Sequence, residues 1–110
     1  MDKKSKTETF IGFALRAGKY RIGLNSVQSL KRANVIVVCK TASDNTKKLS
    51  LKIAAALHCK MYVTKNQTLS ELTHIEGVKI IAITDKNLAA ALINNSEGEL
   101  TIFNLENIYG

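Results

Sequence analysis

Two short apolar runs, 34–39 and 79–84, most constrain what this chain can fold into. They read Asn-Val-Ile-Val-Val-Cys and Lys-Ile-Ile-Ala-Ile-Thr, and both are rich in β-branched residues. Near-continuous runs of this kind are typical of strands that are covered on both faces. We therefore expect a sheet with helices on both sides.

Helix and strand patterns alternate along the rest of the chain. Shorter strands are predicted at 20–22 and 61–63, and helices are predicted to begin at Ser5, at Asn25 or Ser26, within Ser43–Thr46, at Thr68 and at Asp85. The inward faces are predicted to carry Phe10, Phe13, Ala14 and Ala17 in the first helix, and Leu49, Ile53, Ala56 and Leu57 in the third. Such alternation predicts an α/β fold, a three-layer α/β/α sandwich.

A single domain is expected, because 110 residues are enough for one core and no linker interrupts them. We assign residues 1–96 to this domain and treat 97–110 as an apolar tail. The tail could add an edge strand, pack on the domain or cover a partner, and the sequence leaves these three open. The apolar runs are too short to span a bilayer and no signal-peptide pattern is present, so a cytoplasmic protein without a membrane partner is expected.

Catalytic and metal-binding patterns are weak. Asp44 and Asp85 each follow a buried strand and could act as paired carboxylates, but helix capping is the favoured interpretation. The spacing of His58, Cys59 and His74 matches no zinc pattern. No glycine-rich phosphate loop of the two commonest kinds occurs. We expect a protein that is not an enzyme and that uses no cofactor or metal.

Charge is distributed unevenly between the two halves of the chain. Residues 1–52 contain twelve Lys and Arg against three Asp and Glu, whereas residues 53–110 contain four against six. A basic half on a small domain is typical of a protein that binds a polyanion, and nucleic acid is the favoured partner. Aromatic residues make up only 5% of the chain, which disfavours single-strand stacking and favours structured RNA.

The stretch 16–32 is the candidate binding site within this basic half. Gly23 allows the backbone to approach a ligand, and the first turn of the helix that follows presents unpaired N–H groups. Asn25 and Ser26 can hydrogen-bond to base edges or phosphate oxygens. The cations expected around this turn are Lys19, Arg21, Lys31 and Arg32.

Three motifs in order resemble a known family. They are Ala17-Gly-Lys19 leading to Gly23-Leu-Asn25, then Thr41-Ala-Ser-Asp-Asn-Thr-Lys-Lys48, then Ala82-Ile-Thr-Asp85. They are similar to the large-subunit ribosomal protein superfamily of kink-turn RNA binders (the L-seven-Ae and L-thirty-e group), most closely its small bacterial YlxQ-like branch. The resemblance covers about residues 10–93. It implies a mixed four-stranded sheet, no cofactor, and RNA binding linked to the ribosome or translation.

The resemblance also implies which residues would grip a kinked RNA. Gly23, Leu24 and Asn25 match the family's Gly-x-Asn-Glu turn, whereas Ser26 stands where the family has Glu and Ser29 where it has Lys. A hydroxyl cannot replace a carboxylate that accepts two guanine N–H groups. The remaining expected contacts follow the first buried strand or precede the last one: Lys40, Thr41, Ile75, Gly77 and Val78.

The expected partners are therefore structured RNA and the ribosome, with the protein a monomer or weak dimer. The alternative is a protein–protein interaction module, or a ribosome-associated factor without kink-turn specificity, with the apolar tail as a contact surface.

Overall fold

The computed structural model describes residues 5–104. The elements in chain order are α1 (Lys6–Ala17), β1 (Tyr20–Ile22), α2 (Leu24–Gln28), β2 (Val35–Val38), α3 (Asp44–Ala56), β3 (Lys60–Thr64), α4 (Leu69–Thr73), β4 (Ile80–Ile83), α5 (Lys86–Asn94) and β5 (Leu100–Phe103). The strands form one mixed sheet in the order β1-β4-β2-β3-β5. The fold is thus mixed α/β, with five strands among the described residues instead of the expected four.

The two buried strands are neighbours in the sheet and run in opposite directions. In this antiparallel pair Val35 lies opposite Ile83 and Val38 lies opposite Ile80. β3 is parallel to β2, whereas β1 is antiparallel to β4. Because of this arrangement, the start of β4 lies beside the ends of β1 and β2.

Helices cover both faces of the sheet, as the two apolar runs predict. On one face Val35, Val37 and Ile81 pack with α1, α4 and α5. On the other face Ile36 and Val38 pack with α2 and α3. All eight residues of β2 and β4 are buried, so successive side chains supply the two cores in turn.

Helix capping follows the local sequence at four of the five described helices. The side chains of Ser5, Ser43, Thr68 and Asp85 each accept a hydrogen bond from the backbone N–H three residues later. The exception is α2, where Asn25 or Ser26 was expected as the cap. There the N-cap is Gly23, with no side-chain hydrogen bond, and Asn25 and Ser26 lie inside the helix.

Two predicted helix faces differ from the observed ones. In α1 the buried residues include Ile11 and Ala14, while Phe13 and Ala17 are exposed. The Phe13 ring instead packs edge-on against Phe10, with 5.4 Å between centroids.

In α3 the buried residues are Ser50 and Ala54, whereas Leu49 and Ala56 are exposed. The hydroxyl of Ser50 donates to the carbonyl of Thr46 at 2.7 Å, so the helix itself satisfies this buried polar group.

The described part of the tail adds an edge strand. β5 pairs antiparallel with β3, with Met61 opposite Phe103 and Thr64 opposite Leu100. Residues 105–110 of the predicted tail lie outside the described residues. Within 5–104, none of the helices has the length and apolar character needed to cross a bilayer.

Candidate nucleic-acid interface

One end of the sheet gathers a glycine turn, three lysines and the exposed loop Ile75–Gly77, in which Glu76 is acidic. We call it the basic end and define it by Gly23–Ser26, Lys40–Thr41, Lys47, Ile75–Gly77 and Lys79. Backbone hydrogen bonds connect its parts: the Gly23 N–H donates to the Ile80 carbonyl at 3.2 Å, and the Cys39 N–H donates to the Lys79 carbonyl at 2.8 Å. Segments distant in sequence thus meet because β4 begins where β1 and β2 end.

The glycine turn has a backbone conformation that suits glycine. Gly23 has φ 92° and ψ 148°, a region that residues with a side chain rarely adopt. The turn places Asn25 and Ser26 at the surface, where both are exposed. Since α2 has only five residues, few peptide dipoles add up at its start, and positive charge at this end must come mainly from side chains.

Three lysines supply that charge. Lys79 Nζ donates to Thr41 Oγ1 at 2.8 Å, and Lys47 Nζ donates to the Lys40 carbonyl at 3.4 Å. Lys40 Nζ in turn donates to the Asn66 carbonyl at 3.1 Å. Each lysine is held in place by one of these hydrogen bonds. Because an ammonium has three N–H donors, it has further donors to offer phosphate oxygens.

The lysine cluster connects to the core through Thr41 and Cys39. Cys39 Sγ lies 3.1 Å from Thr41 Oγ1 and accepts a hydrogen bond from the Leu69 N–H at 3.4 Å. Burial raises the pKa of the Cys39 thiol, but the hydrogen bonds from Thr41 and Leu69, together with the charge of Lys79, lower this pKa below its ordinary value. Thr41 therefore joins an exposed ammonium to a thiol that is 1% exposed.

A carboxylate lies beside this cluster and limits its net charge. The Glu71 carboxylate accepts hydrogen bonds from the Thr68 N–H at 2.8 Å and from the Thr68 hydroxyl at 3.1 Å. The backbone bond, the hydroxyl bond and the charge of Lys40 lower the pKa of Glu71. Glu71 is thus held ionised as a helix cap, and it offsets part of the charge of Lys40.

In the loop before β4, two of the predicted binding residues, Ile75 and Gly77, are at the surface, whereas Val78 is buried. Ile75 is 39% exposed and Gly77 is exposed, so both are accessible to a ligand. Val78 is 3% exposed and belongs to the core beneath α1 and α4, which removes it from the predicted binding residues. At the start of this loop His74 contacts Glu8 of α1 at 2.6 Å, which ties the loop to the first helix.

Three of the predicted cations lie away from the glycine turn. Lys19 immediately precedes β1, and its carbonyl accepts from the Thr84 N–H at the opposite end of the sheet. Lys31 and Arg32 lie after α2 and close to Asn34 in the chain. The Asn34 N–H donates to the Ile83 carbonyl at the opposite end of the sheet. The expectation that these cations surround the turn is wrong, because β1 and α2 each separate them from it along the chain.

The side chains of Arg21 and Ser29 both donate hydrogen bonds to backbone carbonyls of nearby residues. Arg21 lies in the middle of β1, exposed, and its guanidinium donates to the Tyr20 carbonyl at 2.8 Å. The Ser29 hydroxyl donates to the Asn25 carbonyl at 2.9 Å. Leu24 is half-buried against the core on the α3 face, so it anchors the turn rather than exposing its side chain.

The two aspartates considered as paired carboxylates lie at opposite ends of the sheet. Asp44 follows β2 at the basic end, and Asp85 follows the antiparallel β4 at the other end. Asp85 accepts from the Leu88 N–H at 2.9 Å and is a helix cap. Across residues 5–104 no group of three or more His, Cys, Asp or Glu side chains is arranged to hold a metal ion.

Sequence reasoning missed Lys47 and Lys79 as members of the site. Lys79 directly precedes the buried strand β4. If β4 were parallel to β2, Lys79 would lie far from the end of β2. Only the antiparallel pairing of β2 and β4 brings Lys79 beside Thr41. The usable signal in the sequence is the lysine beside each buried strand: Lys40 two residues after β2 and Lys79 directly before β4.

No protein-family model matches the chain, and no curated protein matches it either. A solved structure of a protein with unknown function from Bacillus halodurans C is similar, with a TM-score of 0.76 and 19% sequence identity. The likeness covers 86% of this chain and 99% of that one. At this identity it shows the fold alone, a mixed α/β arrangement.

Proposed function

We propose that this chain is a non-catalytic, cytoplasmic RNA-binding protein that recognises structured RNA with the basic end of its sheet and acts in association with the ribosome or translation. The observation that carries the proposal is the meeting of Lys40, Lys47 and Lys79 beside the Gly23–Ser26 turn. These groups come from four separate segments, and Lys40 and Lys79 are exposed while Lys47 is half-buried.

Charge and composition favour RNA over other polyanions at this surface. Lysine side chains that are already held by hydrogen bonds lose less side-chain entropy when they bind phosphates than free side chains do. Exposed Asn25 and Ser26 offer hydrogen bonds to base edges or 2′-hydroxyls. Ile75 adds an apolar contact next to these polar groups.

The finer proposal is that the protein binds kinked RNA more weakly than the family it resembles. Ser26 has no carboxylate for guanine N–H groups, and the Ser29 hydroxyl is committed to the Asn25 carbonyl. Lys31 lies two residues beyond the C-cap Ser29, outside α2, so it does not occupy the helix position of the family's lysine. Recognition then depends on the shape of the RNA backbone and on the contacts of Gly23 and Asn25.

The test is direct binding of the full-length protein to a kink-turn RNA and to a straight duplex of matched length and composition, over a range of salt concentrations. We expect the kink-turn RNA to bind more tightly, by about tenfold or less, which corresponds to about 1.4 kcal/mol. Equal affinity for both RNAs and for heparin at every salt concentration would contradict recognition of structured RNA, because it would leave only general charge attraction.

A further inference from the structure

A second surface lies along α3 and shares no residue with the basic end. An apolar groove of about 540 Å³ runs between α3 and the edge of the sheet formed by β3 and β5. Ala54 and Met61, each 1% exposed, lie at its base, and Leu49 and Phe103 also line it. We call it the α3 groove.

The groove leaves large apolar side chains uncovered. Among the described residues, four large hydrophobic side chains are exposed, and two of them, Leu49 and Ile102, line this groove. Leu49 is 40% exposed although it lies in the middle of a thirteen-residue helix. Contiguous exposed apolar surface with a polar rim is characteristic of a binding site.

Lysines line the same groove. Lys48 and Lys52 lie one helical turn apart on α3, and Lys60 begins β3 across from them. None of the lining residues in the described part of the chain is Asp or Glu. Among the described lining residues, the groove therefore combines an apolar base with lysines and no carboxylate.

We infer that the α3 groove binds an acidic amphipathic segment of a partner protein, whose apolar side chains cover Leu49 and Phe103 while its carboxylates pair with Lys48, Lys52 and Lys60. The lining residues of α3 extend from Asn45 to Ala55, a length of about 15 Å at 1.5 Å per residue. A segment of about ten helical residues matches that length, and helix-in-groove recognition works with apolar anchors at helical spacing.

Other occupants fit these observations less well. RNA phosphates would meet the lysines, but an RNA strand would gain little from an aliphatic groove in which Phe103 is the one aromatic lining residue described. A second copy would bring two lysine-bearing faces of a chain with net charge +7 together, and like charges oppose this. This inference is independent of the proposed RNA function, since the groove shares no residue with the basic end.

The test uses the full-length protein and a labelled peptide of about thirteen residues, the length of α3, with leucines at helical spacing and glutamates elsewhere. A matched peptide carries lysines in place of the glutamates. We expect the acidic peptide to bind and to shift the backbone amide NMR signals of Leu49, Lys52 and Phe103. The lysine peptide should bind at least tenfold more weakly. Equal binding of both peptides, or shifts confined to other residues, would overturn the inference.

Two variants in the groove and one outside it separate the groove from the rest of the surface. Leu49→Asp should weaken binding of the acidic peptide at least tenfold, because it puts a negative charge into the groove. Leu49 is exposed, so the variant is expected to fold, and circular dichroism checks this. If Leu49→Asp unfolds the protein, Lys52→Glu gives the same comparison at an exposed, charged side chain. Lys31→Glu makes the same charge change as Lys52→Glu, but outside the groove, and should leave the peptide affinity within about twofold.

The remaining occupants give distinct results in the same experiment. A duplex RNA that displaces the peptide and shifts the same groove amides would overturn the inference in favour of RNA. If the double variant Ile108→Ser, Tyr109→Ser raises the peptide affinity tenfold, the chain's own C-terminal residues compete for the groove. That result would overturn the inference that a partner protein occupies it. A dimer in sedimentation that Leu49→Asp dissociates would overturn it in favour of a second copy.

Discussion

The amide N–H of Gly23 donates a hydrogen bond to the carbonyl of Ile80 at 3.2 Å, which fastens the turn before α2 to the start of β4. Ile80 is preceded by Lys79, whose ammonium is bonded to Thr41. The turn and the lysine cluster are therefore positioned by the same strand. A change in the Gly23 backbone would displace Asn25 and Ser26 relative to the cations.

Gly23→Ala should destabilise the protein by about 1–3 kcal/mol through backbone strain. A methyl group at Gly23 would meet no heavy atom within 4 Å, so a clash contributes nothing to this cost. Gly12→Ala in α1 is the matched control. Its methyl group also has free space, and there alanine should stabilise the helix by about 0.5–1 kcal/mol. Urea unfolding of both variants measures the difference, and equal effects would contradict the role of the Gly23 conformation.

Replacing Lys40, Lys47 and Lys79 together by glutamine should weaken RNA binding strongly. It should also reduce the slope of log affinity against log salt by about one for each phosphate that a lysine no longer neutralises. The matched control replaces Lys19, Lys31 and Arg32 by glutamine, which removes the same charge from the opposite end of the sheet. RNA titrations at several salt concentrations distinguish the two triple variants. A larger loss of affinity in the control would move the interface to the other end.

Glu71→Gln should destabilise the folded protein near neutral pH, with an effect that disappears in acid. The pKa of Glu71 is lowered by hydrogen bonds from Thr68 and by Lys40. Its stabilising contribution is therefore complete above the ordinary glutamate pKa of about 4.3 and is lost as the pH falls through the lowered value. Denaturant unfolding against pH, with Glu97→Gln at an exposed turn as control, measures this. A difference that does not change with pH would show that the cap acts without its charge.

Thr7→Val should stabilise the protein by about 1 kcal/mol. Within the described residues, Thr7 Oγ1 is a buried side-chain oxygen that has no hydrogen-bond partner, and valine fills the same volume without the hydroxyl. Thr73→Val is the matched comparison, because the equally buried Thr73 hydroxyl donates to the Leu69 carbonyl at 2.7 Å. That variant should lose about 1 kcal/mol. Thermal unfolding of the two proteins would contradict the argument if both shifted in the same direction.

Local features of the fold could be predicted from the sequence. The caps Ser5, Thr68 and Asp85, and a cap within Ser43–Thr46, depend on nearby residues, although the cap there is Ser43 and Asp44 lies inside α3. The strands at Val35–Val38 and Ile80–Ile83 depend on their own composition. Alternation of the elements predicts helices on both faces. These predictions depend only on neighbouring residues, and for that reason they agree with the structure.

Features that depend on strand direction could not be predicted in the same way. Nothing local in Ile80–Ile83 indicates that β4 runs against β2, and this direction separates Asp44 from Asp85 and brings Lys79 to Thr41. The face of α3 was equally undetermined, because apolar residues lie on more than one side of it. Leu49 could be assigned to the surface only once β3 and β5 were in place.

The short first strand has a consequence for how copies of this protein meet one another. β1 has three residues and lies at an outer edge of the sheet. There the guanidinium of Arg21 donates a hydrogen bond to the Tyr20 carbonyl. Unpaired edge strands are templates for intermolecular β-pairing, and brevity and a central charge both oppose it. Arg21 therefore protects this edge against aggregation, so its replacement by an apolar β-branched residue would expose a pairing surface without touching the core.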